Sequence, residues 1–197
     1  MNFKILGTKI YVSFFFTAVV TIMLATDRTG IALPTIFAVI LHEIGHLFAM
    51  WVLDCVPKQV KLIPASVQIT SNFSKRYRND ILIALCGPVI NLILFLTLYF
   101  NYLCFKNELV LHYALINLLV GSFNLLPVSG LDGGTVLFCL LVKKIEFSRS
   151  KLIVKLVTLL FAVIILIIGI TLTVRGKVNL SLYILGLYFL IIAIMKN

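Results

Sequence analysis

Charge is what this sequence has least of. Only 12% of its 197 residues are Asp, Glu, Lys or Arg, while 61% are hydrophobic. Soluble domains carry about a quarter charged residues, so an ordinary soluble fold is excluded and an integral membrane protein is expected. Acid is scarcer still: there are seven Asp and Glu against 17 Lys and Arg, and three histidines. Any site that needs a carboxylate or an imidazole therefore has few candidates. The four cysteines, Cys55, Cys86, Cys104 and Cys139, form no C-x-x-C pair, which argues against a cysteine-held cluster and leaves them as reduced packing residues. No motif occurs twice, so the internal repeats common among transporters are missing. The net charge of +10 raises nucleic acid as a partner. The basic residues, however, lie in the connections between apolar runs rather than along one helix face, and membrane topology accounts for them without a nucleic acid.

What is present is a series of apolar runs. They fall at about 10–25, 33–53, 81–104, 109–142, 152–174 and 180–195, and predict an all-α integral membrane protein of about six transmembrane helices. No small-x-small cleavage site follows the first run, so it is read as a retained span. The length leaves no room for a second soluble domain, and the expectation is one polytopic domain over 1–197. Its core is about 30–142, and its accessory helices are about 10–25, 152–174 and 180–195. Between the second and third helices, Val60, Leu62, Val67 and Ile69 alternate with other residues around Pro64-Ala65-Ser66, the pattern of a short β-hairpin. The fourth run is interrupted at 123–134 by Pro127, Gly130, Gly133 and Gly134. Such breaks are tolerated at membrane depth only beside protein or a watery cavity, so helix 4 is expected to be broken and to line something. With six spans, the two termini and the 54–80 and 143–155 connections share a side and hold most of the basic residues. That side is the cytoplasm by the positive-inside tendency.

Inside the second run stands His42-Glu43-Ile44-Gly45-His46. Histidines four apart share a helix face and can bind one Zn²⁺ together, and Glu43, turned about 100° away, is placed to handle protons without a metal bond. Ionisable residues at bilayer depth cost several kcal/mol unless paired or functional, which favours a metal site over an incidental polar cluster.

A catalytic zinc takes three protein ligands and keeps one position open. His112 and Asp132 remain once acids in connections and Glu43 are set aside. His42 and His46 lie roughly 14 to 20 Å below the outer end of their span, whereas His112 is only roughly 5 Å into the fourth. Asp132, carried inward past the break, reaches the right level and is the expected third ligand. Asn124, at the start of the break, could bind a substrate peptide or stabilise an oxyanion, or instead cap the freed carbonyls of its helix. Ser129 reads as a turn residue.

These residues resemble the site-2 protease family of intramembrane zinc metalloproteases, which pairs an HExxH helix with a later N-x-x-P-x-x-x-x-D-G segment. Here that segment runs from Asn124 and Pro127 to Asp132-Gly133, and Gly87-Pro88-Val89-Ile90-Asn91 is similar to a further element of the family. The resemblance covers about 30–142. It implies one zinc per chain on His42, His46 and Asp132, Glu43 as the catalytic acid and base, and Asn124 and Pro127 in substrate binding. It also implies hydrolysis of a peptide bond in or near a transmembrane segment of a membrane-associated protein, within the bilayer and with a regulatory membrane protein as a further partner. Within the family the chain looks closest to the six-span bacterial group of stage IV sporulation protein FB, which cleaves a sigma-factor precursor; this implies the bacterial cytoplasmic membrane. It departs from that group in showing no CBS domain after the last span, in Ser129 where many relatives have proline, and in having no histidine near Ile10. The alternative from another class is a metal transporter or permease using the same ligands in transit.

Overall fold

The computed structural model describes residues 2–5, 8–12, 21–55, 59–63, 66–70 and 77–195, with side chains for 21–55 and 77–195. They include six helices with both ends described, a further helical segment at 21–26 and four short strands, in two compact units, Met1–Asn124 and Leu125–Asn197.

The first unit holds the strands β1 (Asn2–Ile5), β2 (Thr8–Val12), β3 (Gln59–Ile63) and β4 (Ser66–Thr70), hydrogen-bonded in the order β1-β2-β3-β4. β1 and β2 pair antiparallel, β2 and β3 parallel, and β3 and β4 antiparallel with Val60 opposite Ile69 and Leu62 opposite Val67. β2 overlaps the beginning of the first expected span. Ile10, Tyr11 and Val12 are of the types that suit a strand, and the chain is helical at 21–26; the rest of that expected span, 13–20, lies outside the described residues.

Its helices are α1 (Ala32–Val52), α2 (Tyr77–Phe105) and α3 (Glu108–Asn124). Their buried positions repeat at helical spacing and are mostly small: Ala38, His42, Gly45, His46 and Ala49 on α1, Ala84, Gly87, Pro88 and Asn91 on α2, Ala114, Asn117 and Gly121 on α3. Small residues let backbones approach where no hydrophobic driving force separates helix from lipid. At Gly45 the approach is closest, since a Cβ there would stand 2.9 Å from the Cys86 carbonyl oxygen and 3.0 Å from Gly87 Cα. The turn between α2 and α3 is short: Lys106 adopts φ 53° and Asn107 Oδ1 accepts from the Leu109 N–H to start α3.

The second unit opens on the irregular stretch 125–131 and continues through α4 (Asp132–Val142), α5 (Phe147–Val174) and α6 (Leu180–Met195). The stretch turns at Gly130, φ 100°, a conformation that glycine adopts without strain. It is held by the buried Val128, which packs with Ala162 and Phe189, and by the buried Thr158 hydroxyl, which accepts from the Ser129 N–H at 2.8 Å. Side chains at 133 and 134 would run into the backbone carbonyls of Leu125 and Val128, so the two glycines let α4 start directly against the break. The long fourth run is thus two helices, α3 and α4, with 125–131 between them.

Ala32–Val52, Tyr77–Phe105 and Phe147–Val174 are long and apolar enough to cross a membrane; Asp132–Val142 and Leu180–Met195 are apolar but shorter. Large apolar side chains such as Phe37, Phe48, Trp51, Phe100 and Leu180 lie on the outside. That is the inverse of a water-soluble surface and fits a hydrocarbon solvent.

Candidate metal centre

His42 and His46 are buried on α1, one turn apart, with their rings at 84° and their Nε2 atoms 3.1 Å from each other. The protons on these rings are dictated by what the other nitrogens meet. His46 Nδ1 lies 2.8 Å from the backbone carbonyl of Ile83, which can only accept, so Nδ1 carries the hydrogen. His42 Nδ1 lies 2.7 Å from Asn91 Oδ1. That amide cannot be turned round, because its nitrogen donates to the Ala38 carbonyl at 3.0 Å and to Asn117 Oδ1 at 3.1 Å. His42 therefore also donates from Nδ1. When both rings are neutral, their Nε2 lone pairs point into the same small space, an approach of two acceptors that is repulsive by itself and becomes favourable around a shared cation. An imidazole that donates one N–H to a carbonyl and offers the other nitrogen is the usual condition of a metal-bound histidine.

One possible ligand atom from each of His42, His46 and Asp132 lies within 4.8 Å of the others. Two imidazole nitrogens and a carboxylate oxygen are the donor types zinc takes, and a set of three leaves a position for water. The residues present thus fit the metal that the spacing implies. Glu43, beside His42 on α1, is half-buried.

Space for the site comes from α2. A Cβ on Gly87 would stand 2.5 Å from His46 Nε2 and 2.8 Å from His42 Nε2, so no other residue fits there without displacing a ligand. Pro88 has no N–H for the Ala84 carbonyl, which interrupts the α2 ladder beside the histidines. Asn91 is fully buried with every amide function used, which offsets the several kcal/mol that burying an unpartnered amide costs.

The remaining candidates lie on α3 and in the irregular stretch 125–131. His112 is exposed and donates from Nδ1 to the Glu108 carbonyl one turn back on α3. The Asn124 amide donates to the Val120 carbonyl at 3.0 Å, closing the end of α3. Pro127 sits in the irregular stretch, as does Ser129, whose backbone rather than whose hydroxyl makes the bond to Thr158. The sequence pattern marks Asn91 only as part of the Gly87–Asn91 element and does not mark Asn117. The available signal was an asparagine buried at membrane depth, which must find partners on other helices.

A profile of peptidase family M50 matches residues 106–167, a stretch that includes Asp132. A zinc metalloprotease of Methanocaldococcus jannaschii is 28% identical over 180 residues, covering 85% of this chain and 52% of that protein. Stage IV sporulation protein FB of Bacillus subtilis is 26% identical over 154 residues, covering 72% of this chain and 51% of that protein. The chain spans about half the length of the curated relatives it matches. In fold it is similar to the site-2 protease from M. jannaschii, with a TM-score of 0.73 at 23% identity over 98% of this chain and 93% of that one. The chain is thus homologous to these proteins, and its residues 106–167 match peptidase family M50.

Proposed function

We propose that this chain is an intramembrane zinc metalloendopeptidase that hydrolyses a peptide bond in or near a transmembrane segment of a membrane-associated protein. The observation that carries the reading is the grouping of possible ligand atoms of His42, His46 and Asp132 within 4.8 Å, with the two histidine Nε2 atoms 3.1 Å apart. His42, His46 and Asp132 would hold one Zn²⁺, which when bound lowers the pKa of a water and polarises a carbonyl. Glu43 accepts a proton from the attacking water on a carboxylate oxygen and delivers it to the leaving amine nitrogen as the C–N bond breaks. The products are a carboxylic acid and an amine, so the proton balance closes on Glu43 alone. Asn124 and Pro127, flanking the start of the irregular stretch, bind the substrate peptide. β4, at an edge of the sheet, offers main-chain groups to an extended substrate strand.

The whole chain acts as one polytopic domain of about six spans, with both termini on the cytoplasmic side of a bacterial membrane. Its substrate class is that of regulated intramembrane proteolysis, with a sporulation sigma-factor precursor as the specific candidate that the resemblance to the sporulation group implies.

The test is cleavage of a single-span membrane protein by the purified chain in vesicles, with zinc added or chelated. A shortened product that requires zinc and disappears in Glu43→Gln, which keeps its zinc, is expected. Zinc uptake into vesicles without any metal-dependent cleavage would replace this reading by a permease.

A further inference from the structure

We infer that Asn91 and Asn117 form a positioning relay that locks the tautomer and direction of His42 from two helices away. The inference rests on the metalloprotease reading of the same centre. It starts from a chain of bonds with only one possible sense. The Tyr113 backbone carbonyl on α3 can only accept, so Asn117, 2.9 Å from it, presents its amide nitrogen there and its Oδ1 to the other side. That oxygen receives one N–H of Asn91 at 3.1 Å, while the Ala38 carbonyl of α1 receives the other at 3.0 Å. Both Asn91 hydrogens are thereby committed, and its Oδ1 must face His42 Nδ1 at 2.7 Å. His42 is left with its hydrogen on Nδ1 and its lone pair on Nε2. Reversing Asn117 would set donor against donor at Asn91 and acceptor against acceptor at the Tyr113 carbonyl, and reversing Asn91 would set its oxygen against two acceptors, Asn117 Oδ1 and the Ala38 carbonyl.

Burial makes the sense binding. Asn91 is 0% and Asn117 7% exposed, so water cannot replace a lost partner cheaply. The arrangement is also asymmetric between the two ligands. His46 is oriented by a backbone carbonyl that no substitution removes, whereas His42 depends on side chains of α2 and α3. Gly121 supports this packing, since a Cβ there would stand 3.1 Å from Asn91 Cβ. Asn91 and Asn117 touch neither substrate nor metal; they act through His42.

The experiment uses the full chain in detergent micelles, with zinc affinity measured by chelator competition and the absorption bands of the cobalt-substituted protein recorded. Asn91→Leu is expected to weaken zinc by roughly 10- to 100-fold, as loss of a partner behind a ligand does. It is also expected to shift the cobalt bands and, at saturating zinc, to lower kcat while leaving KM near the wild-type value. Asn117→Leu should do the same by a smaller factor. Asn117→Asp, whose carboxyl in its protonated form accepts from Asn91 and donates to the Tyr113 carbonyl, should restore wild-type behaviour. Unchanged zinc affinity and cobalt bands in Asn91→Leu would overturn the relay, as would equal losses in Asn117→Leu and Asn117→Asp, which would mark a packing role. If Asn91→Leu does not fold, the two Asn117 variants decide by themselves. A wild-type chain that binds neither zinc nor cobalt would instead overturn the metal reading, so the two failures are told apart.

Discussion

Gly87 Cα faces the imidazoles so closely that its missing side chain is a structural requirement: a methyl group there would stand 2.5 Å from His46 Nε2. The same helix supplies the Ile83 carbonyl that orients His46 and the Asn91 amide that orients His42. α2 is thus the wall against which both ligands are set, and three of its residues do this in different ways, by absence, by backbone and by side chain.

Gly87→Ala should therefore damage the metal site more than the fold. The added methyl meets ring atoms on one side only, and the rings give way before the helix does. Zinc affinity is expected to fall by at least about tenfold, with helix content retained by circular dichroism and a stability cost of about 1–3 kcal/mol typical of overpacking. Gly45→Ala is the contrast, because its methyl meets the Cys86 carbonyl and Ile90 on α2 rather than a ligand. It should cost a similar amount of stability while changing zinc affinity less. Wild-type zinc affinity in Gly87→Ala would remove glycine from any role at the site.

Asp132→Ala tests the third ligand. Removing a direct donor is expected to cost more than the roughly 10- to 100-fold lost with a supporting partner, so zinc content of the purified variant should drop well below one per chain. Asp132 opens α4, and neighbouring Leu131 makes no side-chain cap, so some loss of helix stability at that end accompanies it. Full zinc occupancy in Asp132→Ala would take the residue out of the ligand set, whatever its effect on cleavage.

Much of this architecture is written in local sequence. The four-residue spacing of His42 and His46 on an apolar helix is enough to bring their Nε2 atoms together, and Pro127 with Gly130 is enough to divide the fourth run. The helix limits follow from the ends of the apolar runs and from Asn107. What local pattern does not carry are pairings across long stretches of chain. Asn117 looks like any polar residue on α3 until α2 lies beside it, and Gly87 looks like a packing glycine until the imidazoles are placed against it. The parallel pairing of β2 with β3 joins residues about fifty apart, while Ile10 to Val12 read just as well as the start of an apolar span.

At acid pH the turn before α1 depends on Asp27. Its carboxylate accepts from the Thr29 hydroxyl and from the Thr29, Gly30 and Ala32 N–H groups, ordering the turn that leads into the helix. The Thr29 hydroxyl bond, followed by the backbone bonds, lowers its pKa from 3.8 to about 2. Because the folded value is the lower one, the carboxylate stabilises the fold fully above 3.8, and that contribution is lost as pH falls toward about 2. The difference in melting temperature between wild type and Asp27→Asn should stay constant from neutral pH down to the upper end of this window, then shrink through it. A difference that is flat across the window would mean that the charge of Asp27 does not hold the turn.

The irregular stretch that leads to Asp132 is pinned by a single side chain from α5. Thr158 is fully buried, and its hydroxyl accepts from the Ser129 N–H at 2.8 Å while donating to the Val154 carbonyl at 2.8 Å. Thr158→Val keeps the shape and removes the acceptor, leaving a backbone N–H without its partner at a cost of about 1–3 kcal/mol. Thr158→Ser keeps the hydroxyl and loses one methyl group, a change of about 1 kcal/mol. The melting temperature should therefore fall more in the valine variant than in the serine variant. Because Ser129 lies three residues before Asp132, zinc affinity should fall in the same order. If valine and serine variants melt together and bind zinc alike, the Ser129 bond does not hold the stretch, and the packing of Val128 against Ala162 and Phe189 is what keeps it in place.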